Sequence, residues 1–216
     1  MAILLGYVLN FVVTFVFFAF SISIHECAHA YSAYRLGDST AKDQGRITLN
    51  PLKHLDPLGT LMIFLISFGW AKPTPVNAMY FKDRKKGIMI TSLAGPVSNL
   101  LFAILLAFPL LYFQANLYRP LNGYIYAVLN IGFNMNLILA VFNMLPIPPL
   151  DGSKILSGIL PSSTYYRMME YETYITIIFI ILMFSGILSK TILLPIVSVI
   201  NSAIIYIVFP IVKLII

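Results

Sequence analysis

The stretch Ala2 to Ile24 contains no charged residue and runs straight into His25-Glu26-Cys27-Ala28-His29. A helix of that length crosses the roughly 30 Å of hydrocarbon in a bilayer. Similar runs recur at Gly87 to Phe113 and Asn122 to Leu145, and again at Tyr174 to Leu188 and Thr191 to Val212. With 59% hydrophobic and only 10% charged side chains, against about 25% charged in soluble domains, the chain is expected to be an all-α polytopic membrane protein. The expectation is one membrane-embedded domain over residues 1–216, with a core at 1–155 and additional helices at 173–216. It holds about five to six transmembrane helices and a short re-entrant or β element on the cytoplasmic side.

The first run lacks a positive leading segment and a small-residue cleavage site, so it reads as a mature helix. It extends to Leu36 and stops at Gly37. Leu58 to Trp70 is apolar but too short to span comfortably, which suggests a re-entrant or interfacial segment. In Trp70 to Asn77, Pro73 and Pro75 forbid a regular helix and favour an extended, edge-like course. Gly95-Pro96 interrupts the second span near its start, where close helix approach and a kink are expected.

The net charge of +6 arises from basic residues in the loops between apolar runs, so it reads as a topology signal and excludes nucleic acid as the natural partner. With 37–86 inside and 58–70 returning to that side, only Arg119 and Lys190 of the fourteen basic residues fall outside. The prediction is a multi-pass protein of a cell membrane with its polar helix ends toward the cytoplasm.

His25-Glu26-Cys27-Ala28-His29 is an H-E-x-x-H pattern. Residues four apart on a helix share a face, so two imidazoles can bind one metal ion with Glu26 beside it. Such groups are expensive to bury at the end of an apolar helix, which argues for function over a pair of interfacial histidines. The single cysteine, Cys27, rules out zinc sites of four thiolates or of two thiolates and two imidazoles. A catalytic zinc needs a third protein ligand. Of the eight acids, the six other than Glu26 and Asp151 lie in polar loops. Asp151 follows the third span in Asn143-Met144-Leu145-Pro146-Ile147-Pro148-Pro149-Leu150-Asp151-Gly152, on the membrane side of His29. It is the best candidate ligand, with a helix N-cap as the competing role.

Together with Ala94-Gly95-Pro96-Val97-Ser98-Asn99, these segments resemble the site-2 protease family of intramembrane zinc metalloproteases. Asn50 to Gly59 is similar to its compact prokaryotic branch without PDZ or CBS modules. The resemblance covers about residues 20 to 155. It implies one Zn2+ ion held by His25, His29 and Asp151, with Glu26 as general base and later proton donor, and membrane proteins as substrates in contact with the lipid bilayer. For the donor that a tetrahedral intermediate requires, Asn143 is the first choice and His54 the second. Asn143 has helix capping or bridging as its alternative, and His54 a loop role. Asn99 is expected to pack helices or orient a ligand. The extended Trp70 to Asn77 segment is a candidate edge for pairing with a substrate strand.

The alternative from another class is a membrane metal-binding or transport protein, which predicts liganding groups spread over the bilayer depth. A catalytically dead relative is opposed by the intact Glu26.

Overall fold

The structure, a computed structural model, describes residues 1–66, 69–116 and 120–215. Helix α1 (Ala2–Arg35) is followed by the short α2 (Thr40–Asp43) and by α3 (Pro57–Ile66). Helices α4 (Arg84–Ala115) and α5 (Pro120–Met144) come next, then α6 (Asp151–Ile159), α7 (Ser162–Glu170), α8 (Glu172–Phe184) and α9 (Leu194–Lys213). The boundary expected at Gly37 is present: its φ of 108° lies in the left-handed region that glycine tolerates. The turn is sealed where the Asp38 N–H donates to the Ala33 carbonyl at 3.0 Å.

Helix α4 is the central element and packs on α1, α5, α6 and α9. Its Ala103 and Ala107, one turn apart and fully buried, let neighbouring backbones approach closely. Leu137 and Phe133 of α5 and Val208 and Val212 of α9 fill the layer around them. Also on α5, Gly132 faces the Phe17 ring of α1, where any Cβ would collide with the ring. The three helices that carry the sequence motifs are thereby held as one packed unit.

Four described helical stretches are long and apolar enough to cross a membrane: Leu4–Arg35, Arg84–Ala115, Leu121–Met144 and Ser189–Lys213. Helix α8, with 13 residues, rises about 20 Å and falls short of the hydrocarbon thickness. The expected five or six spans therefore become four long helices and this shorter one. The apolar side chains exposed along the long helices, such as Leu5, Leu101 and Val199, match a lipid surround.

The Leu58 to Trp70 run folds as α3 up to Ile66, while residues 67 and 68 lie outside the described residues. The expected β element is reduced, among the described residues, to one isolated antiparallel bridge between Leu55 and Ala71. Beyond that bridge, residues 72 to 77 form an extended strap. The Lys72 N–H donates to the His54 carbonyl at 2.7 Å. The Arg46 guanidinium holds the Lys72 carbonyl, and the Asn77 N–H donates to Asp38 Oδ2 at 2.6 Å.

Candidate metal and active site

His25 and His29 project from one face of α1, ten residues and six residues before its end at Arg35. The rise of an α-helix puts His25 about 15 Å along the axis from that end. The two rings meet edge to face with centroids 4.6 Å apart. Asp151 completes the group: its Oδ2 lies 3.0 Å from His25 Nε2 and 3.1 Å from His29 Nε2, and the two Nε2 atoms are 3.0 Å apart. Each of the three residues is less than a tenth exposed.

A tight turn carries Asp151 there. The Ile147 N–H donates to the Leu145 carbonyl at 2.8 Å and the Leu150 N–H to the Ile147 carbonyl at 2.9 Å, so the chain reverses immediately after α5. Helix α6 then starts against the end of α5 so closely that a Cβ at Gly152 would strike the carbonyls of Met144 and Leu145. The N-cap of α6 is Leu150, and no side chain caps the helix. The N-cap reading of Asp151 therefore does not hold, because its carboxylate is turned onto the imidazoles.

The outer nitrogens of both rings are committed. His29 Nδ1 donates to the Thr91 backbone carbonyl at 2.7 Å, and His25 Nδ1 donates to Asn99 Oδ1 at 2.7 Å. With Nδ1 protonated, each neutral ring turns a bare lone pair at Nε2 toward the other and toward a carboxylate oxygen. Three acceptors within 3.1 Å of one another repel one another unless a metal ion or a shared proton lies among them. Two nitrogens and one oxygen, with the outer nitrogens anchored, form a donor set that suits a divalent zinc with one position left open. Gly95 of α4 lies against this set: a Cβ there would collide with His29 Nε2 and stand 2.6 Å from His25 Nε2.

The group opens onto a cavity of about 810 Å³. Phe18, Ile22, Phe142 and Phe179 give it apolar walls, while Glu26, Asn143 and Lys154 are among its polar lining. Glu26 is 9% exposed, and its Oε2 accepts the Thr74 N–H at 2.8 Å. Lys154, one turn after Asp151, places Nζ 3.7 Å from Asp151 Oδ1, the carboxylate oxygen that faces away from the histidines.

The structure treats the two expected donors differently. Asn143 lines the cavity and donates one Nδ2 hydrogen to the Leu139 carbonyl at 3.0 Å, which leaves its second N–H to serve the cavity. His54 is fully buried outside the cavity lining, donating from Nε2 to the Thr48 carbonyl at 2.8 Å. Asn99 touches the His25 imidazole through its Oδ1 and ties α4 to α1 and α5 through its Nδ2.

Sequence reasoning missed Thr74, Thr91, Asn136 and Lys154. Thr91 acts through its main-chain carbonyl and Thr74 through its N–H, so residue type carried no signal for either. An asparagine within an apolar span, as at Asn136, was a visible cue, but Asn130 and Asn134 carry the same cue on the same helix. Among the described residues the candidate metal-holding group is gathered at one place, His25, His29 and Asp151, whereas the transport alternative predicts liganding groups spread over the bilayer depth.

The sequence profile of peptidase family M50 matches residues 119–186, a stretch that contains Asn143 and Asp151. The chain is 44% identical over 165 residues to YwhC of Bacillus subtilis, named a candidate zinc metalloprotease, with 75% of each chain covered. It is 31% identical over 197 residues to Rip2 of Mycolicibacterium smegmatis, named in the same way, covering 86% of this chain and 72% of the relative. A zinc metalloprotease of Methanocaldococcus jannaschii is 28% identical over 189 residues, covering 86% of this chain and 46% of its own length. No solved structure matches the chain.

Proposed function

The chain belongs to peptidase family M50, the site-2 protease family, and on that premise we propose that it cleaves peptide bonds of transmembrane or membrane-tethered proteins, using one zinc ion held by His25, His29 and Asp151. The observation that carries this reading is the meeting of three buried acceptors from α1 and α6 beside Glu26 at one cavity. His25, His29 and Asp151 would hold a zinc ion there, and such an ion would supply Lewis acidity for activating water and polarising a carbonyl.

The protein's own groups do the rest. The Thr74 N–H fixes Glu26 Oε2, so the carboxylate is oriented to take a proton from the attacking water and return it to the leaving nitrogen. Asn143 offers its unused N–H to the oxygen that gains charge as the carbonyl becomes tetrahedral. The apolar walls of the cavity accept the side chains of a membrane segment. They also exclude bulk water, which strengthens each charge interaction inside. The bond to be cut must leave its helix and lie extended, because a helical carbonyl is already paired and enclosed.

The basic residues that flank the α1 C-terminus and the α4 N-terminus, among them Arg35, Lys42 and the Arg84-Lys85-Lys86 group, support an orientation with the site toward the cytoplasm of a cell membrane. The deciding experiment compares wild type with Glu26→Gln, measuring bound metal and cleavage of a membrane substrate in detergent or liposomes. Metal retained with cleavage lost by several orders of magnitude is the expected result. Undiminished cleavage by Glu26→Gln overturns the reading.

A further inference from the structure

Asn136 lies within α5 and is fully buried, and its side-chain hydrogen bonds go to Gly132 and Asn99, not to any of the three proposed metal ligands. An amide in that position is expensive unless all its hydrogen-bonding groups are used in a defined direction. Its Nδ2 donates to the Gly132 carbonyl one turn earlier at 2.9 Å. That bond directs its Oδ1 away from Gly132 as an acceptor, and Asn99 Nδ2 donates to it at 2.9 Å. The other Asn99 Nδ2 hydrogen goes to the Ser21 carbonyl of α1 at 3.0 Å. Both hydrogens of the Asn99 amide are thus taken by pure acceptors, and its Oδ1 is left for His25 Nδ1 at 2.7 Å.

Turning the Asn99 amide over would set its oxygen against two oxygens and its NH2 against His25. The direction of every bond in the series from Gly132 to His25 is consequently fixed from the far end. His29 needs no such device, since its Nδ1 faces a main-chain carbonyl that has only one polarity.

We infer that Asn136 and Asn99 form a polarity relay that keeps His25 in the tautomer with a bare Nε2, ready for metal, with Asn136 acting as a positioning residue one amide removed from the ligand. The relay explains why three helices meet around two asparagines: α5 supplies the reference carbonyl of Gly132, α4 the amide in between and α1 the ligand. The inference rests on the zinc reading for its purpose, but the tautomer itself is a property of the metal-free protein.

The test uses the full chain in detergent. The protein has only three histidines, so 15N-imidazole labelling resolves each of them. In metal-free wild type at alkaline pH, His25 and His29 are expected with the proton on Nδ1 and His54, which donates from Nε2 to Thr48, with the proton on Nε2. Asn136→Leu and Asn99→Leu are expected to shift His25 toward a mixture of tautomers while His29 is unchanged. Zinc affinity, measured by chelator competition, should fall about 10- to 100-fold, the usual effect of losing a group that orients a ligand. Asn136→Asp, whose neutral acid keeps one acceptor and one donor, should retain affinity within a few-fold of wild type. Two results overturn the relay: a wild-type His25 protonated on Nε2, which requires no variant to fold, or an Asn136→Leu protein of reduced thermal stability with unchanged zinc affinity and tautomer. Failure of wild type to bind zinc would instead strike the metalloprotease reading and leave the tautomer measurement standing.

Discussion

Thr74 grips Glu26 at two points: its N–H donates to Glu26 Oε2 at 2.8 Å, and its hydroxyl donates to the Glu26 backbone carbonyl at 3.0 Å. The strap is thereby tied to the proposed base. A hydrogen bond to a charged group contributes about 1.5–3 kcal/mol, equivalent to roughly 10- to 100-fold in rate if it is needed in the transition state. Thr74→Pro, which deletes the N–H, should lower kcat by about that factor with metal content unchanged. Thr74→Val, which deletes only the hydroxyl, should lower it by no more than a few-fold. Equal effects of the two substitutions would show that the N–H has no special role.

Gly95→Ala should expel the metal while leaving the helix intact. Alanine favours a helix by about 1 kcal/mol over glycine, so helical content and assembly are preserved. Its methyl would nevertheless occupy the space against His29 Nε2 and His25 Nε2. Metal analysis of the purified variant is the check, and a full complement of zinc would contradict the close approach seen here.

Asn143→Ala should reduce kcat by about 100-fold, the usual loss when one oxyanion donor is removed, with little change in zinc affinity. His54→Asn should leave kcat within a few-fold, since His54 does not line the cavity. A large loss at His54 combined with a small one at Asn143 would exchange the two assignments.

His54 should make stability depend on pH. Burial pushes its pKa below the ordinary 6.5, and the nearby Arg46 charge adds to this against the opposing bond to the Thr48 carbonyl. The unfolded chain takes up a proton near pH 6.5 and the folded chain only at lower pH. The stability this group contributes is therefore complete above about 6.5 and is lost as pH falls toward the folded value. Thermal unfolding in detergent should show a decline over that range, and His54→Asn should flatten it.

Val76→Pro should reduce cleavage without removing zinc if a substrate strand pairs with the strap. Val76 is the cleaner position for this experiment, since the Asn77 N–H is already spent on Asp38 Oδ2 at 2.6 Å, and a proline at 77 would break the anchor of the strap itself. Unchanged turnover of a membrane substrate by Val76→Pro would exclude pairing at this edge.

Much of this was legible in the sequence. Long uncharged runs must become helices to pair their backbone groups in hydrocarbon, so α1, α4 and α5 appear within a few residues of their expected limits. The four-residue interval between His25 and His29 places them on one face of α1, because helical periodicity is local. The odd position of Asp151, an acid directly after an apolar span, marked it for the same site.

What only the tertiary structure decided concerns direction and distance between elements. Whether Asp151 caps α6 or turns toward α1 depends on how α6 seats on the end of α5, where Gly152 leaves no room for a side chain. Polar residues of similar hydrogen-bonding capacity were separated by their surroundings: Asn143 at the cavity, His54 buried away from it, and Asn136 hydrogen-bonded to Asn99 from a third helix. Main-chain groups such as the Thr91 carbonyl and the Thr74 N–H are shared by every residue except proline, which lacks the N–H, so their roles arise only from where packing puts them. Sequence determines periodicity and chemical type along one helix, whereas the pairing of polar groups across helices follows from the close packing of α1, α4 and α5 around a few buried amides.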